Sequence, residues 1–85
     1  MAYAVQFAPA AEREFRKLSR EIQRRLRPRI DGLAVDPRPA GAKKLKGHDD
    51  LWRIRTGDYR IVYEIWNEIP IVLVVHVAHR REAYR

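Results

Sequence analysis

Residues 51–63 read LWRIRTGDYRIVY, and the alternation of apolar and arginine side chains in this stretch decides the fold. Gly57-Asp58 at its centre is a two-residue loop with glycine first, which is typical of a type II′ hairpin turn. Such a loop places Arg55 opposite Arg60, and cross-strand partners share one face of a sheet. A three-residue loop would pair an isoleucine with Arg60 and mix the faces, so the hydrophobic pattern favours the shorter loop. One face then carries Trp52, Ile54, Ile61, Tyr63 and Ile65, and the other carries Arg53, Arg55 and Arg60.

The facing pair Arg55 and Arg60 needs an explanation, because like charges directly opposite each other destabilise a sheet. The pair makes sense if a phosphate group binds between the two side chains, since guanidinium groups match phosphate oxygens in a bidentate geometry. The alternative is a solvated basic face without a ligand, and the sequence leaves that alternative open.

The chain after this hairpin continues as a third strand over residues 71–78. Alternation predicts that one apolar set faces the core and that His76 and Arg80 join the arginines on the open face. His79 follows the parity of the core, at the point where the strand ends. The apolar set is Leu73, Val75 and Val77.

The chain before the hairpin predicts one strand and two helices. Residues 3–7 alternate as a short strand, and apolar residues then recur at steps of three and four over residues 9–34. Ser19 interrupts this stripe and is a suitable cap for a second helix. Pro28 is expected to kink or split that helix, because it removes a backbone donor. The basic segment at residues 43–47 is expected to lie in a loop.

A chain of 85 residues is expected to form one domain over residues 1–85. The order of elements predicts an α+β fold, with a small antiparallel sheet of about four strands and two N-terminal helices on one face. The absence of cysteine excludes disulfides and thiol nucleophiles and fits a reducing cytoplasm. No signal-peptide pattern occurs, and the longest apolar run, residues 69–75, is too short to span a membrane. We therefore expect a cytoplasmic protein without membrane contact, whose net charge of +7 favours a polyanion or an acidic protein partner.

The side chains of the predicted open face suit one reaction. No carboxylate–histidine cluster at ligand spacing, glycine-rich phosphate loop or Ser-His-Asp pattern occurs, so we expect neither a metal nor another cofactor. RNA carries its own nucleophile, the 2′-hydroxyl, so an enzyme needs only to align it, stabilise negative charge and move two protons. Candidates for moving protons are His76, His79, Tyr84 and Lys46. Tyr84 is alternatively a platform for an RNA base, a core plug or a tail residue.

Six strings, spread in order over nearly the whole chain, resemble the RelE/ParE toxin superfamily. They are FRKL at 15–18, DPRP at 36–39, KLKG at 44–47, LWRIR at 51–55, GDYRIVY at 57–63 and HRREAY at 79–84. The resemblance implies a RelE-like fold and a toxin from a toxin–antitoxin pair. RelE-like members cut mRNA in the ribosomal A site without a metal, which inhibits translation, and a cognate antitoxin wraps around them and silences them.

The resemblance also implies a set of catalytic residues. The family's basic pair matches Arg53 and Arg55, and its arginine after an aromatic residue on the next strand matches Arg60. Its late arginine matches Arg80, and its terminal tyrosine matches Tyr84.

The general base is where this chain departs from the family. RelE itself has lysines at the positions of Arg53 and Arg55, and a lysine can lose its proton whereas an arginine effectively cannot. Some relatives use a histidine in the last segment, so His79 and then His76 are the candidates for the base. Two alternatives stay open, namely a ParE-like toxin that poisons DNA gyrase and a non-catalytic nucleic-acid-binding module. The residues expected to bind RNA are Lys43, Lys44, Lys46, His76 and Arg81.

Overall fold

The computed structural model describes residues 2–45 and 50–79, and within these ranges the chain forms two helices and five strands. In chain order they are β1 (Ala4–Phe7), α1 (Pro9–Arg16), α2 (Arg20–Gly32), β2 (Lys43–Lys44), β3 (Leu51–Thr56), β4 (Tyr59–Trp66) and β5 (Ile71–His79). The strands form one sheet in the order β1-β5-β4-β3-β2. β1 runs parallel to β5, and the other neighbouring strands are antiparallel.

The predicted α+β architecture is confirmed, with two differences in the sheet. The sheet has five strands in the described ranges rather than about four, because Lys43 and Lys44 pair with Arg53 and Trp52 instead of lying in a loop. The sheet is also mixed rather than purely antiparallel. The connection from β1 to β5 contains both helices, and a long crossover of this kind allows two neighbouring strands to run in the same direction.

The two helices begin at the predicted residues. Pro9 opens α1, and the Oγ atom of Ser19 accepts a hydrogen bond from the backbone N–H of Ile22 at 3.3 Å. The expected split at Pro28 does not occur, since α2 continues to Gly32. Proline removes only one helical hydrogen bond, and Leu26 and Ile30 on either side of it are buried, so packing holds the helix together. Neither helix is long and apolar enough to cross a membrane.

The core lies between the helices and one face of the sheet, and a loop closes its edge. The hydroxyl of Tyr63 donates a buried hydrogen bond of 2.7 Å to the carbonyl oxygen of Pro37, and burial raises the pKa of Tyr63 to about 12. The guanidinium of Arg38 lies 5.1 Å from the ring centroid of Trp52, which is half-buried. The buried apolar residues are Ala11, Leu26, Ile30, Leu33, Ile54, Ile61, Tyr63, Ile65, Val72, Val74 and Val77.

The hairpin between β3 and β4 has the predicted register. Thr56 faces Tyr59 across the two-residue loop, and Arg55 faces Arg60. Gly57 has a φ of 58°, and no described residue other than glycine has a positive φ, which agrees with a type II′ turn.

A bulge in β5 changes the predicted orientation of its first half. Tyr63 pairs with Val74 and Val62 pairs with His76, so that Val75 is the extra residue between two ladder positions. Val72 and Val74 are therefore buried before the bulge, and Val77 is buried after it. The prediction that Leu73 and Val75 face the core is wrong, because strict alternation does not allow for the inserted residue, whereas the prediction for Val77 is confirmed.

Candidate functional site

The sheet face opposite the helices carries the arginine pair. Arg55 stands opposite Arg60, and Ala78 continues the same row on β5. Along an antiparallel ladder, hydrogen-bonded pairs alternate with non-hydrogen-bonded pairs. The Thr56–Tyr59 pair closes the two-residue turn and is therefore a hydrogen-bonded pair. The Arg55–Arg60 pair is then of the non-hydrogen-bonded kind, in which the Cα atoms are about 4.5 Å apart. Two guanidinium groups thus start from adjacent backbone positions beside the small side chain of Ala78.

A second row of residues, three of which have basic side chains, lies next to the first on the same face. It runs from Lys43 through Arg53 and Val62 to His76, one residue from each of four strands. The two rows are two residues apart along each strand, or about 7 Å. We call the surface formed by Lys43, Arg53, Arg55, Arg60 and His76 the arginine face.

His76 reaches the arginine face at a diagonal from Arg60. Arg60 pairs with Ala78, and Val62 pairs with His76, so the four residues form the corners of one block of the ladder. Diagonal neighbours in a sheet are about 7–8 Å apart, which is within reach of long side chains. The side chains of Arg60 and His76 are therefore close enough on this face to contact one small ligand together.

The carboxylate of Glu14 lies beside His76. Its Oε1 atom is 3.5 Å from Nδ1 of His76 and accepts a hydrogen bond of 3.1 Å from the backbone N–H of Val77. The pairing of β1 with β5 ends at Phe7 and Val74, and the backbone N–H of Ala8 just after it donates a hydrogen bond to the carbonyl oxygen of Val74. Beyond that point α1 packs against the edge of β5, and Glu14 supplies an acceptor there.

His79 lies on the other face of the sheet. It shares the row of Thr56 and Tyr59, and its ring stands edge-on to Tyr59 with the centroids 5.3 Å apart. It lines a groove together with Glu14 and Lys17 of α1. The structure thus agrees with the predicted core parity of His79, but it does not bring this histidine to the arginine face.

The remaining predicted site residues divide in two groups. Lys44 is exposed and pairs with Trp52, so the register places it on the row of the helix-covered face rather than on the arginine face. Among residues 2–45 and 50–79, no three histidine or carboxylate side chains come together as a metal site would require. The second group consists of the predicted site residues that lie outside the described ranges, namely Lys46, Arg80, Arg81 and Tyr84.

Glu14 is the residue of this region that the sequence does not single out. It stands in α1, and the backbone group that it binds is 63 residues further along the chain. Its contacts depend on where β1 ends and on how α1 packs against β5, and no local pattern of residues carries that information.

Comparisons with known proteins show the family and the fold of the chain. The family model of the ParE toxin of the type II toxin–antitoxin system, parDE, matches residues 5–84. The mRNA interferase toxin RelE of Escherichia coli (strain K12) is 33% identical over 98% of this chain and 88% of its own length. The crystal structure of the isolated E. coli RelE toxin superposes with a TM-score of 0.83 and 31% identity, covering 98% of this chain and 92% of that one.

A chain from the toxin–antitoxin complex of a relative is also similar in structure to this chain. A chain of the toxin–antitoxin complex RelBE2 from Mycobacterium tuberculosis has a TM-score of 0.82 and 29% identity, over 94% of this chain and 93% of that one. The expected RelE-like fold is confirmed by these superpositions. The chain belongs to the RelE/ParE superfamily of toxins from type II toxin–antitoxin systems.

Proposed function

We propose that this chain is the toxin of a toxin–antitoxin pair and an endoribonuclease that cleaves mRNA on the ribosome, without a metal, and thereby inhibits translation. The observation that carries the proposal is the facing pair of Arg55 and Arg60, with His76 diagonal to Arg60 on the same face. A relative that covers almost the whole chain is named an mRNA interferase, which supports the same activity.

The chemistry follows from the charges of the arginine face. The 2′-hydroxyl of the RNA loses its proton to a base and attacks the adjacent phosphorus, so that a 2′,3′-cyclic phosphate forms as the P–O5′ bond breaks. Arg53, Arg55 and Arg60 stabilise the extra negative charge on the phosphate oxygens, as preorganised donors do in other phosphate-transfer sites. Water returns a proton to the leaving O5′ atom.

His76 is the better of the two candidate bases. An arginine stays protonated, so the three arginines do not serve as the base. His76 shares the face of Arg53 and Arg60, whereas His79 lies on the row of Tyr59 on the opposite face. In its neutral form an imidazole has a ring nitrogen with a free lone pair, which can accept the proton of the 2′-hydroxyl.

The other basic residues are proposed to hold the RNA. Lys43 extends the arginine face to the edge strand, and Lys44, which belongs to the row of the opposite face, is exposed at the same edge. For the residues outside the described ranges the roles stay predictions from the resemblance, namely charge stabilisation for Arg80, proton transfer or stacking for Tyr84, and RNA binding for Lys46 and Arg81.

The proposed partner proteins follow from charge and from the relatives. Toxin–antitoxin complexes of RelE with RelB have been solved for relatives of this chain, so we propose a cognate antitoxin here as well. A net charge of +7 favours an acidic antitoxin, which inserts a helix or an added strand and stabilises the toxin by mass action. Because ribosomes are cytoplasmic, we propose that the protein acts in the cytoplasm.

The test is to add the purified protein to a translating cell-free extract and to map mRNA ends by primer extension. We expect new ends within codons, and a loss of about 10²–10³-fold in cleavage for Arg60→Ala, the usual effect of removing one such donor. Arg13→Ala removes the same charge from an exposed position on α1 and is expected to leave cleavage unchanged.

A second candidate function has one observation in its favour, because the matching family model is named for ParE. A gyrase poison leaves mRNA intact and blocks supercoiling, and the same preparation can be assayed for both. A non-catalytic module instead binds RNA in a salt-dependent manner and cleaves nothing.

A further inference from the structure

We propose that Glu14 is a positioning residue that orients His76 for proton transfer on the arginine face. The inference rests on the proposed function, in which His76 accepts the proton of the 2′-hydroxyl. It adds a residue of α1 to a site that otherwise belongs to the sheet.

Glu14 is itself fixed by the backbone of β5. One oxygen atom, Oε1, both accepts the hydrogen bond from the N–H of Val77 and lies 3.5 Å from Nδ1 of His76. The N–H of Val77 is the backbone donor next to His76 in the chain, so the hydrogen bond that fixes Glu14 also holds its carboxylate beside the imidazole.

The position of the carboxylate favours one of the two tautomers of the His76 ring. An acceptor beside Nδ1 favours the tautomer in which Nδ1 bears the hydrogen, and Nε2 is then the nitrogen with the free lone pair. The side chain of His76 is 61% exposed, so a ribose hydroxyl can approach it from the arginine face. In the proposed step the proton of the 2′-hydroxyl moves to Nε2 while the 2′-oxygen bonds to phosphorus.

Among the described residues, Glu64 is a carboxylate of β4 on the same side of the sheet as the arginine face, and it is engaged elsewhere. The Oε1 atom of Glu64 accepts a hydrogen bond of 3.0 Å from the indole N–H of Trp66, whereas the carboxylate in contact with His76 is that of Glu14. A purely structural role for Glu14, as a cap for the N–H of Val77, is the alternative that the experiment must separate from positioning.

The experiment compares three variants in the cell-free cleavage assay. Glu14→Ala removes both contacts and is expected to lower kcat about 10–100-fold, the usual effect of losing an orienting partner, with KM within about twofold of wild type. Glu14→Gln keeps an oxygen acceptor and is expected to restore most of kcat. Glu12→Ala is the matched control, since Glu12 stands on the same helix and pairs only with Arg16 among the described residues, at 2.7 Å.

A double-mutant cycle and a tautomer measurement decide the outcome. In a His76→Ala background, Glu14→Ala is expected to cause no further loss, and an equal loss in both backgrounds overturns the proposal. Nitrogen-15 NMR of His76 reports the tautomer without any cleavage. A wild-type ring protonated on Nε2 at slightly alkaline pH overturns the positioning role, whereas an Nδ1-protonated ring that cleaves no RNA retains it and refutes the proposed function instead.

Discussion

Tyr63→Phe tests how the loop before β2 is attached to the sheet. The substitution removes the buried hydrogen bond of 2.7 Å from the Tyr63 hydroxyl to the carbonyl oxygen of Pro37 and leaves that oxygen without this donor. A lost bond of this kind, with its acceptor still in place, lowers the free energy of unfolding by about 1.5 kcal/mol. For a domain of this size, that corresponds to a melting temperature lower by roughly 6–12 °C at neutral pH.

The same hydroxyl predicts a pH dependence with a definite sign. Burial raises the pKa of Tyr63 to about 12 in the folded chain, against 10.0 for an ordinary tyrosine. The stabilisation is therefore complete below pH 10 and is lost as the pH rises toward 12, because the unfolded chain loses this proton first. At pH 11 the loss amounts to about 1.4 kcal/mol, so wild type and Tyr63→Phe are expected to become about equally stable there.

The assay is urea unfolding of wild type, Tyr63→Phe and Tyr3→Phe at pH 8, 10 and 11. Tyr3→Phe is the matched control, because its hydroxyl donates to Asn67 at an exposed position. Taking differences between variants at each pH cancels the titration of the lysines and the other tyrosines. A stability gap between wild type and Tyr63→Phe that stays constant from pH 8 to pH 11 would refute the reasoning.

Three further predictions concern the site and the helices. Arg60→Ala is expected to melt within a few degrees of wild type, since it relieves a like-charged pair worth about 0.2–1 kcal/mol; a fall larger than this in calorimetry would show a structural role for the side chain. Cleavage is expected to persist in EDTA as long as the ribosomes are kept intact, and activity that stops and returns with magnesium contradicts metal-independent catalysis. Ser19→Ala is expected to lower the free energy of unfolding by about 1 kcal/mol, because the N–H of Ile22 loses its cap, with cleavage unchanged in the same assay.

The hairpin could be predicted from the sequence because its information is local. Gly57-Asp58 allows a two-residue turn, and only the register that follows from it separates the isoleucines from the arginines. The structure has that register at each predicted pair, including Arg55 with Arg60. Ser19 is similar, because a capping side chain acts on a backbone group three residues away.

The edges of the sheet could not be predicted in the same way. Lys43 and Lys44 form a strand because they pair with Arg53 and Trp52 along the edge of β3, and two lysines have no periodicity of their own. The parallel pairing of β1 with β5 depends equally on distant residues, such as Val5 opposite Val72. Pairings of this kind are decided by packing rather than by local preference.

The bulge at Val75 explains why Leu73 and Val75 do not face the core while His76 lies on the arginine face. Residues 71–75 are all apolar, so both parities of this stretch are compatible with a buried face and alternation alone decides nothing. Val72 and Val74 are buried, and unbroken alternation would turn His76 toward the core with them. The inserted residue reverses the parity, which places Val77 in the core and His76 in the row of Arg53, as bulges near functional sites often do. Catalysis as proposed thus depends on one extra residue in β5, together with a carboxylate from α1 that the same strand edge holds in place.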